Sequence, residues 1–593
     1  MALFAPSQSP AVIVKEVDLT GGVPNVQTST GMYVGKFMWG PADQRKLIAN
    51  EEELTETYGA PNNSHSVDYH DAAYFLRYSN TLQMSRIVDA TAKNATATTG
   101  QTSAYAVGTY TTPQVTNDDN FLTQEGALDS DGHTFVGRYP GSLANSLRVS
   151  ICPPSIGDSA FDGWTYKSSF DAAPGTSTFA SNNDATNDEV HVAIVDVNGE
   201  FSGTKGTVLE TYPYLSVATN AVNADDGGNI YVKDVINTNS QYVHFVNFDS
   251  NFTNFGNAGT AITPGTTKDF LGTAVQTSAT VNFEFDSGVD TGTLSTANYL
   301  GGFDLFEDKD VVEIDFMIAP GMTTRADQTT VVNDLIAIAN SRKDCVVVSG
   351  PAREDIVNVY SGATVTTNLV ATAETFTRSS YNIVAGNFLK VYDKYNDKFI
   401  EIPASSSLAG LMAETDRVAA PWFSPAGTRR GQLLGVTSLA YNPNKARRDT
   451  LYKSGINPIV NLPGQGITLF GDKTGLARPS AFDRINVRRL FLTLERAIER
   501  AAKNVLFEFN DEFTRAEFVN IIEPVLRDVK GRRGITDFRV VADETVNTPA
   551  VVDRNEFIAN ILIKPARSIN FITLNFVAVR TGVSFEEIAG QAF

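Results

Sequence analysis

The chain has 593 residues, 42% hydrophobic and 19% charged, enough to bury several cores and unlike a disordered or fibrous polymer. Its 36 Phe and 20 Tyr, with glycine and proline near average usage and without a period, predict a folded chain rich in strands. The net charge of −20 divides into −26 over residues 1–420 and +6 over residues 421–593. Most of the chain would repel phosphate, so nucleic acid is a poor direct partner, whereas the basic last third can meet an acidic protein surface or stay solvated.

The longest apolar runs, 310–320 and 569–579, are short and interrupted, far from the roughly 20 residues of a membrane span. Lys15 precedes any long apolar stretch, which argues against a secretory signal. Cys152 and Cys345 are too distant in sequence for a disulfide framework or zinc knuckle and read as two buried thiols.

In chain order, residues 12–17 form a lone strand followed by Gly21, Gly22 and Pro24, an N-terminal arm over 1–26. Residues 27–90 read as a small α/β unit: a strand, a helix closed by Gly59, a Tyr/Ala-rich helix and a strand over 82–88. Thr, Ala and Asn dominate 91–130, a linker or loop-rich excursion, and 131–309 is a β-rich insertion with runs such as VHVAIVDV and TVNFEF. Residues 310–360 give strand, helix, strand, hence a parallel βαβ unit. A polar stretch at 361–380 and the strand pair NFLKVYD/KFIEIPA make 361–420 an outer β segment returning to the core. Between 483 and 504 lies the longest helix. Its apolar stripe is Ile485, Val487, Leu490, Leu494, Ala497, Ile498 and Ala501, with Arg488, Arg489, Arg496, Glu499, Arg500 and Lys503 facing away. A second helix near 514–530, with Pro524 as a kink, precedes strands at 538–543, 556–564 and 571–580.

Several motifs carry chemistry only superficially. Residues 466–474 (GITLFGDKT) suggest a phosphate-binding loop, but Asp472 interrupts the Gly-Lys-Thr sequence that would cradle the anion. His65 and His70 with Asp68 and Asp71 can be drawn as a metal cluster, although a solvated helix start accounts for them more simply. Asp129-Ser130-Asp131-Gly132 opens like a calcium loop but lacks its distal Glu, and reads as a turn. No nucleophile elbow or zinc-protease helix is present.

The last third carries Pro421-Trp422-Phe423-Ser424-Pro425-Ala426-Gly427, Arg430-Gly431, the segment DTLYKSGINP with Tyr452, Asn457 and Pro458, Gly464-Gln465-Gly466, Phe470-Gly471-Asp472-Lys473-Thr474, and INVRRL at 485–490. This series of motifs resembles the tail sheath proteins of contractile-tailed bacteriophages. Upstream, Arg138-Tyr139-Pro140-Gly141, Ala144-Asn145-Ser146-Leu147, 212–215 and 234–237 resemble the same family. Phe507-Glu508-Phe509-Asn510 departs from the family's Phe-Glu-Pro-Asn at Phe509, and Ser349-Gly350-Pro351 lacks the Asp common there.

The resemblance implies a mixed α/β, multidomain chain. Its α/β core would come from the N- and C-terminal parts, including a core sheath domain over 421–565, with β-rich outer insertions and extended arms at 1–26 and 566–593. It implies a non-enzymatic, cofactor-free and metal-free subunit of stacked hexameric rings around a tail tube, contracting to drive the tube through the host envelope. The partners implied are the chain itself, the tube protein, and baseplate and tail terminator proteins, in a virion tail assembled in the bacterial cytoplasm. A sheath of a non-phage contractile particle is the nearest alternative. A baseplate component or adhesin would explain the β-rich insertion but not the arms, and a carboxylate-pair hydrolase has no positive motif.

The lone terminal strands, with Val12, Ile13, Val14 and Val17 at one end and Ile572, Leu574, Phe576, Val577 and Val579 at the other, are expected to add to sheet edges of neighbouring subunits. Residues 19–26 and 560–568 would serve as hinges. Arg488, Arg489, Arg496 and Arg500 are candidates for tube or subunit contact, or a solvated face.

Overall fold

The computed structural model describes residues 29–97, 113–154, 159–248, 257–271 and 280–568. The terminal strands and the first hinge at 19–26 lie outside them. Among the described residues two compact units are present: 29–421 with 425–497, and 498–568 with 422–424.

The large unit is built on a seven-stranded sheet. Its order is Ile456–Asn457, Asn382–Ala385, Val346–Ser349, Phe316–Ile318, Gly31–Gly35, Leu82–Arg86 and Arg45–Ile48. Every neighbour pair is parallel except the last, where Arg45–Ile48 closes the edge antiparallel. A parallel sheet needs helices on both faces, and alternation along each strand supplies two apolar surfaces. Tyr33, Met84, Phe316, Ile318, Val346 and Val348 bury against the helices Ser66–Leu76 and Ser405–Val418. Met32, Val34, Met317 and Val347 bury with Phe303, Leu335, Ile336 and Leu369 on the other face.

The strand–helix–strand reading of 310–350 matches Phe316–Ile318, Arg325–Arg342 and Val346–Ser349. Thr324 caps the helix by accepting from the Asp327 N–H, and Lys343 ends it in the left-handed conformation at φ 61°.

Four segments differ from expectation. Residues Gly362–Thr375 and Ser405–Val418 are helices, and Asn382–Ala385 is an inner strand of the central sheet, so 361–420 is not an outer β segment. The Thr-rich helix holds because Val365, Leu369 and Ala373 share one buried stripe, while Thr366 and Thr367 donate to carbonyls four residues back. Within the expected linker, Asp118–Ser130 is a helix capped by Asn117. Only Phe121 and Leu128 anchor it, too weak a stripe to read from sequence.

The chain leaves the central sheet after Leu82–Arg86 and returns at Phe316–Ile318. Between them lie an antiparallel sheet of Val281–Glu284, Leu147–Cys152, Glu189–Asp196 and Thr207–Ser216, and a smaller one of Val243–Phe245, Phe135–Gly137 and Thr96–Ala97. Phe135 stacks on Phe245 at 4.5 Å and meets Phe283 edge-on in their shared core. Both thiols, Cys152 and Cys345, are buried and free of any disulfide, and burial raises their proton affinity.

At the exit of this insertion sits Arg86, fully buried. Its guanidinium donates to the carbonyls of Phe37 (3.0 Å), Gly40 (2.8 Å), Met38 (3.4 Å) and Pro140 (2.6 Å), tying the first residues of the insertion's core to the central sheet.

In the small unit, the helix Glu512–Gly531 contains Pro524 and packs on an antiparallel pair, Ile535–Val541 with Asn560–Pro565. Trp422 lies under the Arg532 guanidinium at 5.0 Å and against Gly534, where a Cβ would collide with its ring. The expected hinge over 560–568 is largely this strand: residues 560–565 are held in a ladder, so they cannot swing freely.

Arg86→Ala strands several carbonyls in a dry site, and is expected to cost about 3 kcal/mol or more in urea unfolding. Arg86→Lys should recover only part of this, because one ammonium cannot reproduce the fork.

Candidate functional site

The arginines of the long helix, Ile485–Lys503, point elsewhere than the sequence predicts. Arg489 is buried and forms an ion pair with Asp416, its guanidinium lying 4.7 Å over the Phe316 ring. Arg488 is buried between the rings of Tyr381 (4.3 Å) and Phe482 (4.1 Å) and donates to Ser380 Oγ. Arg496 pairs with buried Asp315 at 2.7 Å and donates to the carbonyls of Ile314 and Asp344. Burial raises the Asp315 carboxyl to about 6 against the pull of Arg496. Three of the four expected contact residues therefore pin the helix to the large unit and are not a free basic face; Arg500 is half-exposed. Snorkelling and stacking let an arginine sit inside a face that a binary polar pattern assigns to water.

The His65, Asp68, His70, Asp71 group is not a solvated helix start either. It lies on the buried helix Ser66–Leu76, with Asp71 wholly enclosed. Tyr33 donates to Asp68 (3.2 Å), the Lys36 N–H donates to its other oxygen (3.0 Å), and Ser406 donates to Asp71. Burial pushes the Asp71 carboxyl well above its ordinary range, opposed by Ser406 and reinforced by Asp68. His70 Nε2 lies 3.1 Å from Asp393, and burial outweighs that carboxylate and lowers its proton affinity. Among the described residues, no group of three or more His, Cys, Asp or Glu could hold a metal ion. Asp131 and Gly132 end the Asp118–Ser130 helix, Gly132 at φ 77°.

The Gly-rich stretch is a structural knot. Residues Gly466–Leu469 pair with Ile459–Leu462 around a turn with Gly464 and Gly466 at positive φ. Gly431 fits against the Gly427 and Leu469 backbones with no room for a Cβ, and Gly471 packs on Asn457 and Pro458. Asn457 bridges Val384 and Lys473, Thr474 donates to the Phe482 carbonyl, and Tyr452 donates to Asp472, which also holds Arg484. Lys473 donates to the Tyr452 carbonyl. The lysine, threonine and aspartate that suggested a phosphate loop are thus occupied in tying the Ile456–Asn457 edge of the central sheet.

In the small unit, two surfaces stand out. The Ile535–Val541/Asn560–Pro565 pair meets no third strand among the described residues; alternate residues of Asn560–Pro565 are exposed, as are Thr536, Asp537 and Arg539 on its partner. Leu506, Phe507, Phe509 and Phe513 are all largely exposed, with Phe507 at φ 72°. A two-stranded sheet with open edges and a run of exposed aromatics are features of surfaces that another chain covers. Phe509 is itself a departure from the family motif noted in the sequence.

Residues 292–475 match the family model for the phage tail sheath protein central domain, and residues 477–578 match that for the phage tail sheath C-terminal domain. The chain is 33% identical to the tail sheath protein of Vibrio phage KVP40, over 98% of this chain and 99% of that one. It is likewise 33% identical to the tail sheath protein of Enterobacteria phage T4, over 98% and 99%. The crystal structure of a sheath tail protein from Listeria innocua superposes with a TM-score of 0.53 at 11% identity, covering 92% of this chain and 93% of that one, a likeness of fold.

Arg496→Glu places like charges together in a buried site and is expected to destabilise the large unit by about 3–5 kcal/mol in chemical denaturation. Asp71 behaves oppositely. Its folded form retains a proton that the unfolded carboxyl, with an ordinary value of 3.8, releases as pH rises, so its contribution is fully present below that value and is lost above it. Asp71→Asn is therefore expected to raise the unfolding temperature at pH 7 and to leave it unchanged near pH 3.

Proposed function

The chain belongs to the tail sheath proteins of contractile-tailed bacteriophages, and from that premise we propose that it polymerises as stacked hexameric rings around a tail tube and shortens to drive the tube through the host envelope. It acts as a structural subunit and not as a catalyst, in a virion tail assembled in the host cytoplasm, with the tube, baseplate and tail terminator proteins as neighbours. Full-length similarity to phage sheath proteins favours a phage over another contractile particle.

The observation that carries this reading is the open two-stranded sheet, Ile535–Val541 with Asn560–Pro565. An isolated pair of strands is marginal, and its unpaired N–H and C=O groups invite further strands. The sequence supplies two, at residues 12–17 and 572–579, as donors from neighbouring subunits. Four to six hydrogen bonds at about 1 kcal/mol net make one such joint worth roughly 5 kcal/mol. Residues 19–26 and 566–568 would be the links across which the large units shift while the strands stay paired. Shortening then draws on free energy held in intersubunit contacts since assembly. With Arg488, Arg489 and Arg496 engaged internally, the exposed Leu506, Phe507, Phe509 and Phe513 are the better candidates for a surface covered in the assembled tail.

Negative-stain microscopy of the purified full chain is expected to show striated hollow tubes. Removing residues 1–20 should abolish them while the thermal unfolding of the large unit is retained. Intact tubes from the truncated chain would overturn strand addition through the N-terminal arm.

A further inference from the structure

The positive charge of the last third is concentrated in one place. Residues 425–484 hold nine Lys and Arg against three acids, whereas residues 485–593 hold fifteen of each. The fold gathers these cations around the hairpin Ile459–Leu462/Gly466–Leu469. The loop bearing Arg429 and Arg430 is bonded through Gly427 and Gly431 to Leu469. The helix Lys445–Lys453 carries Lys445, Arg447, Arg448 and Lys453, and the Arg448 guanidinium lies 5.3 Å over the ring of Phe470, which is itself 46% exposed. Lys473 and Arg484 meet at the Tyr452 ring.

Arg484 is paired with Asp472, whereas other cations here are left unneutralised among the described residues. Arg429, Lys445, Lys453 and Arg478 are exposed and form no ion pair among the described residues. Burial and then the neighbouring Arg484 lower the proton affinity of Lys473, and burial and then Arg429 lower that of Arg430.

The same unit carries the complement. Asp304, Glu307, Asp308 and Asp310 crowd one exposed segment beside the helix Arg325–Arg342 and form no ion pair among the described residues. Burial and then Asp304 and Glu307 raise the carboxyl of Asp334 on that helix. Exposed Val311 lies in the same segment, as Phe470 lies in the basic one.

We infer that the basic surface around Arg429, Lys445, Arg448, Lys453 and Phe470 docks onto the acidic segment 304–310 of a second copy of this chain. The occupant follows from charge: the chain's own acidic part supplies the complementary field, and a polyanion such as nucleic acid would be repelled by a molecule of net −20. Paired reciprocally across a two-fold axis the two patches would stop at a dimer; repeated head to tail they are not limited to two copies. In that arrangement they generate rings or helical filaments, the symmetry a sheath requires. The inference rests on the self-assembly reading above and names a contact separate from the terminal strands.

Charge exchange in the full-length chain tests it. One variant carries Arg429→Glu, Lys445→Glu and Lys453→Glu; a second carries Asp304→Lys, Glu307→Lys and Asp310→Lys. All six side chains are exposed and without ion pairs, so both variants are expected to retain the wild-type circular dichroism and unfolding temperature. Each alone should raise the concentration needed for pelletable tubes about tenfold or more near 0.15 M salt. An equimolar mixture should restore assembly to within about threefold of wild type, because reversed patches then alternate with complementary ones. Gln at the same six positions, which removes charge without repulsion, should give a smaller rise in either variant, and serves if a reversal fails to fold. Wild-type assembly with unimpaired single variants, or folded variants whose mixture stays dispersed, overturns the docking and leaves the sheath reading intact. A wild-type chain that never assembles, with or without tube protein, overturns the sheath reading and the docking with it.

Discussion

A parallel sheet can leave neither face to water, and this constraint organises the large unit. The strand Gly31–Gly35 lies between Leu82–Arg86 and Phe316–Ile318, so the segment between those strands leaves and re-enters on opposite sides of one central strand. The helices that cover the sheet come from distant parts of the chain, Ser66–Leu76 beside Ser405–Val418 on one face. Insertion and core consequently fall in one compact unit, with a β-rich region mounted on a sheet that early and late sequence complete together.

Both ends of the insertion are marked by a buried charge. Arg86 at the exit binds four carbonyls, and Asp315 at the return binds Arg496. Buried charges are costly unless satisfied, so each specifies one arrangement of its surroundings more than it adds net stability. The small unit is constructed differently, with an unextended strand pair and exposed aromatics that other chains can complete.

Charge is likewise distributed by role. The arginines of the Ile485–Lys503 helix are largely consumed inside the large unit, while the cations around Phe470 are left facing outward. Ionic contacts at a surface are weak singly and screened by salt, which makes them suited to interfaces that are repeated many times and must be exchanged when a polymer changes state.

The amino-acid sequence alone determined the mixed α/β class, the strand–helix–strand at 316–349, the long helix, the buried thiols and the family, because periodicity and ordered motifs are local properties of the chain. It could not decide which side of a polar pattern faces inward. Arg488, Arg489 and Arg496 read as solvent-facing, and His65, Asp68, His70 and Asp71 as a wet helix start, until tertiary packing supplied Asp416, Asp315, Tyr381, Ser406 and Asp393 from remote segments. The Thr-rich helix Gly362–Thr375 and the weakly anchored Asp118–Ser130 depend in the same way on surfaces assembled elsewhere. Only the tertiary structure could decide these, because satisfaction of a buried polar group is a property of its partners and not of its neighbours in sequence.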